Sequence, residues 1–173
     1  YDDTAALARF ADQVDVITYE FENVPEATVA ECQRHKPVRP GTKPIHVAQH
    51  RLREKEFFRT LGIDTAKYQA IRSADDIAAA TALPGILKTC TEGYDGKGQA
   101  RVAAPGDLAA AFASLGSVPA VLERCIDFAF EISVIAVRAQ DGSLACYDVP
   151  RNTHEGGILR SSVVPAGLSS AID

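Results

Sequence analysis

The chain has 173 residues, of which 46% are hydrophobic and 24% charged, a balance that fits a folded globular protein and argues against disorder. Its formal charge of −5, with no basic stripe, argues against a nucleic-acid partner. No signal peptide opens the chain, and no apolar run approaches the roughly 20 residues that cross a bilayer, so a membrane protein is not expected.

In chain order, residues 4–11 read as a short amphipathic helix, with Leu7 and Phe10 three apart. Residues 14–19 read as a strand, Pro25 starts a helix to about His35, and Val38-Arg39-Pro40 is extended. This β–α–β alternation predicts a parallel sheet, the end of an open α/β domain covering residues 1–42. Pro40-Gly41 marks a boundary. A long helix is expected over residues 44–61, closed by Gly62, and a strand over 66–70. Ser73 caps an alanine-rich helix. Residues 84–89 and 99–103 flank a glycine loop. Residues 105–115 form a helix with Asp107 suitably placed for its dipole. Strands are predicted over residues 120–124, 131–139, 144–149 and 157–164, with Asp141-Gly142 as a hairpin turn. Residues 169–173 read as the first turn of a further helix. With no methionine and a first residue of Tyr1, the sequence reads as a piece of a longer protein.

The most informative segment is Leu87-Lys88 followed by Gly93-Tyr94-Asp95-Gly96-Lys97-Gly98-Gln99. Glycines let backbone N–H groups turn toward an anion, and two lysines supply mobile positive charge. It is not a Walker A loop, because no Ser or Thr follows Lys97 and a strand, not a helix, comes next. A strand, glycine loop and strand in this order predict a flap over phosphates.

Other polar groups sit at strand ends. Glu123 closes an apolar strand and is followed by Arg124-Cys125-Ile126; Glu131 and Ser133 share a strand face. His154 lies near Asn152 and Glu155 in what reads as a glycine-bearing loop. Glu20, Glu22 and Asn23 follow the C-terminal end of a strand, where α/β sheets bind ligands. The basic patch over residues 51–55, broken by Glu54, reads as a solvated helix face. His46 and His50 are spaced i,i+4 for zinc, but no third ligand supports them. The cysteines at 32, 90, 125 and 146 form no Cys-x-x-Cys pair and read as free thiols of a reducing cytoplasm.

The order of these signals is more specific than any one of them. Tyr19-Glu20-Phe21-Glu22-Asn23-Val24-Pro25, Arg51-Leu52-Arg53-Glu54-Lys55, the glycine loop, Leu122-Glu123, Glu131-Ile132-Ser133, Asn152 with His154, and Gly157-Ile158-Leu159 together resemble the 5-(carboxyamino)imidazole ribonucleotide synthetases of the ATP-grasp superfamily. The likeness spans nearly the whole chain. It implies an α/β (α+β overall) ATP-grasp fold. The end of a pre-ATP-grasp domain (residues 1–42) would be followed by an incomplete ATP-grasp domain (43–173), with residues 67–125 as the flap-like subdomain covering the nucleotide.

The resemblance also implies a C–N ligase that uses MgATP and bicarbonate to carboxylate aminoimidazole ribonucleotide through carboxyphosphate, in a cytoplasmic homodimer. Arg51 and Lys88 would touch ATP phosphates. Gly93, Tyr94, Asp95, Gly96, Lys97, Gly98 and Gln99 would close over them. Glu123, Arg124, Cys125 and Ile126 would hold adenine and ribose, with Glu131 and His154 beside the nucleotide. Glu20, Glu22 and Asn23 are candidates for the ribonucleotide. The magnesium ligands are expected beyond residue 173, so the 173 residues by themselves are expected not to turn over. Asp148 stands where the family usually has proline, and Arg151 where it often has glutamate. The alternatives are another ATP-grasp ligase, such as a formate-dependent glycinamide ribonucleotide transformylase, and a non-catalytic nucleotide-binding module.

Overall fold

A computed structural model describes residues 1–93 and 97–168. Among these residues two compact units separate, one of residues 1–93 and 98–125, the other of Lys97 with residues 126–168. The expected helical turn at residues 169–173 lies outside the described residues.

The first unit opens with helix α1 (Thr4–Ala11), capped by the Asp3 carboxylate, which accepts from the Ala6 N–H at 2.9 Å. Residues 14–19 do not form a full strand. Ile17 makes a single parallel bridge to Val38, through bonds from Ile17 N–H to Pro37 and from Arg39 N–H back to Ile17. A strand exists by pairing, and among the described residues only this short partner pairs with it. Helix α2 (Glu26–Gln33) follows Pro25, and a small core of Ala11, Ile17, Val24, Val29, Cys32, Val38 and Ile45 ties these pieces together.

The long helix expected over 44–61 is two helices, α3 (Thr42–Ala48) and α4 (Arg51–Thr60). His50 takes an extended conformation between them (φ −137°, ψ 107°). Tertiary bonds account for the break. The Arg51 N–H, which a continuous helix would give to Val47, donates to the Cys90 carbonyl at 2.9 Å, and the Gln49 amide is held by Glu22 and Val24 carbonyls. Gly62 follows the end of α4 at φ +71°, as expected.

A four-stranded antiparallel sheet then forms from β1 (Tyr68–Ile71), β2 (Gly85–Thr89), β3 (Gln99–Val102) and β4 (Ala120–Arg124), in the order β1-β4-β2-β3. Helix α5 (Ala74–Ala78) is capped by Ser73 as expected, but ends early. The Gln69 side chain accepts from the N–H groups of Thr81 and Ala82, so the chain leaves the helix to reach it. The 105–115 helix splits into a 3-10 turn (Pro105–Asp107) and α6 (Leu108–Ser114), with the Asp107 carboxylate accepting from Ala104 N–H at 3.1 Å. Ile71, Leu87, Val102, Leu108, Phe112 and Leu122 form the core between one sheet face and these helices.

In the second unit, the strand expected over 131–139 is two. β5 (Glu131–Ile132) pairs with β8 (Arg151–Glu155), whereas β6 (Ala136–Arg138) pairs with β7 (Leu144–Cys146) across the Asp141-Gly142 turn. A change of partner within one extended run interrupts the ladder. β9 (Ile158–Val163) completes a three-stranded sheet ordered β5-β8-β9.

Candidate functional site

The sheet register sorts the side chains of the first unit. Leu87 on β2 lies opposite Leu122 on β4, and both are fully buried in the core. Because side chains alternate, Lys88 and Glu123 fall on the other face. There Lys88 Nζ lies 2.9 Å from Glu123 Oε2, and Lys55 Nζ, from α4, lies 3.2 Å from Oε1. The three side chains are 25%, 14% and 14% exposed, so this is a largely desolvated cluster of two cations on one carboxylate. Burial alone would raise the Glu123 carboxyl. The hydrogen bonds and charges of Lys88 and Lys55 outweigh burial and hold it below the usual carboxylate range.

Lys55 was missed from the sequence, where residues 51–55 read as a solvated face. The available signal was spacing: Arg51 and Lys55 are i,i+4 on α4 and share one side of it. Arg51 reaches the base of the glycine loop. Its guanidinium donates to the Thr89 carbonyl at 3.2 Å and to the Gly93 carbonyl at 3.1 Å. Across the loop base, Thr89 N–H donates to the Gly98 carbonyl at 2.9 Å. Gly98 itself sits at φ +67°, and a Cβ there would lie 2.7 Å from Thr89 Oγ1 and 3.3 Å from Gly93 Cα. Only glycine fits that corner without strain. Gln99 opens β3 directly opposite Lys88. Tyr94, Asp95 and Gly96 lie outside the described residues, and Lys97 forms the turn into β3. Cys90, at the loop's start, is buried, and burial pushes its thiol up despite the nearby Arg72 and Arg51 charges.

Two of the three substrate candidates come to the same place. Glu22 and Asn23 line a hollow of about 210 Å³ with Gln49, Arg51, Glu92 and Gly93. The Gln49 amide fixes the turn, donating to Glu22 and Val24 carbonyls at 2.9 and 2.5 Å. Glu92 holds a left-handed backbone (φ 62°) at the hollow's edge. Glu20 instead lines a separate, mostly apolar hollow with Tyr1, Leu7 and Phe10.

Arg124 and Cys125 are tied to their neighbours through the backbone, Arg124 N–H to Lys67 and Cys125 N–H to Pro84. Ile126 belongs to the second unit. In that unit His154 is on strand β8, not in a loop, and its Nδ1 lies 2.8 Å from Glu131 Oε2 on β5. A bulge between Thr153 and His154 against β9 shifts the register there. Asn152 donates to Ser133 Oγ at 2.6 Å and accepts from Ser162 Oγ at 2.8 Å, extending the polar row. Arg151, the departure noted in the sequence, stacks its guanidinium over Phe130 at 4.1 Å from the ring centre.

His46 and His50 are not an i,i+4 pair on one helix. His46 is on α3, with Nδ1 2.7 Å from Glu26 Oε2, while His50 lies at the break before α4. Among the described residues no three His, Cys, Asp or Glu side chains are grouped to hold a metal ion.

A family model described as "ATP-grasp domain" matches residues 56–173, more than half of the sequence. The chain belongs to the ATP-grasp family. A second model, "Ribonucleotide synthetase preATP-grasp domain", matches residues 1–49 of this ATP-grasp chain, so the expected order of fold types holds. The N5-carboxyaminoimidazole ribonucleotide synthase of Pseudomonas aeruginosa is 45% identical over 170 residues, covering 96% of this chain and 47% of that protein. The N5-carboxyaminoimidazole synthetase of Staphylococcus aureus complexed with ADP superposes with a TM-score of 0.92 at 30% identity, over 99% of this chain and 47% of that one. The Aspergillus clavatus synthase in complex with ADP and 5-aminoimidazole ribonucleotide gives a TM-score of 0.87 at 26% identity, over 98% of this chain and 45% of that one. The resemblance read from the sequence is therefore borne out. The chain spans about half the length of the curated relatives it matches.

Proposed function

We propose that the protein carrying this chain is a ligase that carboxylates the exocyclic amine of 5-aminoimidazole ribonucleotide, using ATP and bicarbonate. Bicarbonate oxygen attacks the γ-phosphorus of ATP, releasing ADP and forming carboxyphosphate. The amine nitrogen then bonds to the carboxyl carbon, phosphate leaves, and the amine loses a proton. The observation that carries this reading is the half-buried Lys88–Glu123–Lys55 cluster beside an Arg51-clamped glycine loop. The likeness to a synthase whose complex contains ADP and 5-aminoimidazole ribonucleotide supports it.

In this reading Lys88 binds a phosphate oxygen of ATP, and Arg51 shapes the loop while lying near the phosphates. Residues Gly93 to Gln99 close over them with backbone N–H groups. Glu123 to Ile126 receive adenine and ribose, with Glu131 and His154 beside the nucleotide. Glu22 and Asn23 contact the ribonucleotide, and Glu20 lies at the edge of that region. Residues 67–125 act as the subdomain that covers the nucleotide, within a domain arrangement of 1–42 and 43–173. These groups position reactants and offset phosphate charge. Magnesium is carried by ATP. In this reading its protein ligands lie outside residues 1–173. A cytoplasmic homodimer completes the reading, and four free thiols agree with a reducing compartment.

The test is ADP release from MgATP and bicarbonate by the full-length gene product. About tenfold or greater stimulation by 5-aminoimidazole ribonucleotide, lost in Lys88→Met, is expected. Stimulation by glycinamide ribonucleotide with formate instead would replace this substrate assignment. The 173-residue chain alone should show no stimulation.

A further inference from the structure

Glu123 carries two cations, one on each carboxylate oxygen, and they come from different parts of the first unit. Lys88 stands on β2, next to the loop base, and is the more exposed of the two. Lys55 reaches in from α4, with Nζ also 5.8 Å from the centre of the Tyr68 ring. The groups facing Glu123 are thus Lys88 from β2, Lys55 from α4 and Tyr68, its register partner on β1. Arg124 follows on the same strand and points to the opposite face.

A phosphate that recruits Lys88 must take it from Glu123. With a single lysine, that exchange would leave a largely buried carboxylate without a cation, which is strongly unfavourable. The second lysine removes that obstacle. We propose that Lys55 is a positioning residue that stays on Glu123 when Lys88 turns to a phosphate-bearing ligand, so that Lys88 can exchange partners without protonation of the carboxylate. The inference rests on the nucleotide reading above, and it concerns a residue that touches no reacting atom.

The linkage has a definite sign. Without Lys55, ligand binding draws Lys88 away and the stranded Glu123 carboxyl takes a proton from solution. Binding coupled to proton uptake weakens as pH rises. Isothermal calorimetry of ADP binding by the full-length gene product, in two buffers of different ionisation enthalpy, reads both affinity and proton uptake.

Wild type should bind ADP with little proton uptake. Lys55→Met should bind about tenfold more weakly, with a substantial fraction of a proton taken up and affinity falling as pH rises. Lys55→Arg should stay within about threefold of wild type without proton uptake, since it keeps the charge. In a Glu123→Gln background, adding Lys55→Met should cost less than about twofold, because the carboxylate it serves is gone. Lys55→Gln carries the same test if the methionine variant does not fold.

Wild type without ADP binding would overturn both the nucleotide reading and this inference. ADP binding by wild type, with Lys55→Met matching it in affinity and proton uptake, would overturn the inference alone. So would an undiminished cost of Lys55→Met in the Glu123→Gln background.

Discussion

Glu123 concentrates the electrostatics of the first unit in one carboxylate. Its folded-state pKa is held down by Lys88 and Lys55 against burial, which acts the other way. A carboxyl depressed on folding adds stability that is fully present above its unfolded pKa, about 4.3, and is lost as pH falls through the folded value. Wild-type stability should therefore drop more steeply below about pH 5 than that of Lys55→Met/Lys88→Met, whose carboxyl has no cation to hold it down. Denaturant titrations at several acidic pH values measure this, and equal slopes would contradict it. A second residue-scale prediction concerns Gly98. A methyl there meets Thr89 and Gly93 at a left-handed φ, so Gly98→Ala should strain the loop base by about 1–2 kcal/mol. Under the proposed function it should weaken ADP binding more than it lowers the melting temperature of the chain, and unchanged affinity would argue against the loop's role.

At the scale of elements, β2 and β4 support the site from behind. Leu122 is fully buried opposite Leu87, and its neighbour Glu123 takes its position from that anchoring. Leu122→Ala should cost about 2–5 kcal/mol, whereas Val137→Ala, on the exposed β6–β7 hairpin, should cost less than about 0.5 kcal/mol. Urea unfolding of both variants checks the contrast. The start of β2 is equally constrained. A Cβ on Gly85 would lie 2.5 Å from the Ala82 carbonyl oxygen and 2.7 Å from that of Glu123, and backbone at that distance cannot swing aside. The helices tell a different story. Ser73 and Asp3 caps follow from local chemistry, but the break between α3 and α4 comes from Arg51 N–H bonding to Cys90, some forty residues away in sequence.

Across the whole molecule the two units are unequally built. The first holds two clusters of buried apolar residues, whereas in the second Ala166 is the one buried hydrophobic residue among those described. Val134, Ile135, Val137, Leu144, Tyr147, Leu159, Val163 and Val164 are more than half exposed or near it. Strands with few buried contacts open at low free energy. In the purified 173-residue chain, backbone amides of β8 and β9 should exchange with deuterium faster than those of β2 and β4. Equal protection in the two units would contradict this, and mass spectrometry of peptides from each reads it directly.

Local chemistry in the sequence determined the caps, the Asp141-Gly142 turn, the glycine loop and the strands around it, because each depends on residues within a few positions. The ordered motifs also determined the ATP-grasp family. The sequence placed Lys88 and Glu123 at strand ends, yet their pairing and the presence of Lys55 on the other carboxylate oxygen needed the sheet register and the packing of α4. His154 looked like a loop residue because β8 has no alternating apolar pattern, and only its pairing with β5 and β9 makes it a strand. The same holds for residues 14–19 and 131–139. Whether an extended run is a strand, and with which partner, is decided by hydrogen bonds to distant segments. Which charges meet in a desolvated cluster is likewise decided by tertiary packing, since their energy depends on burial and on neighbours far away in the chain.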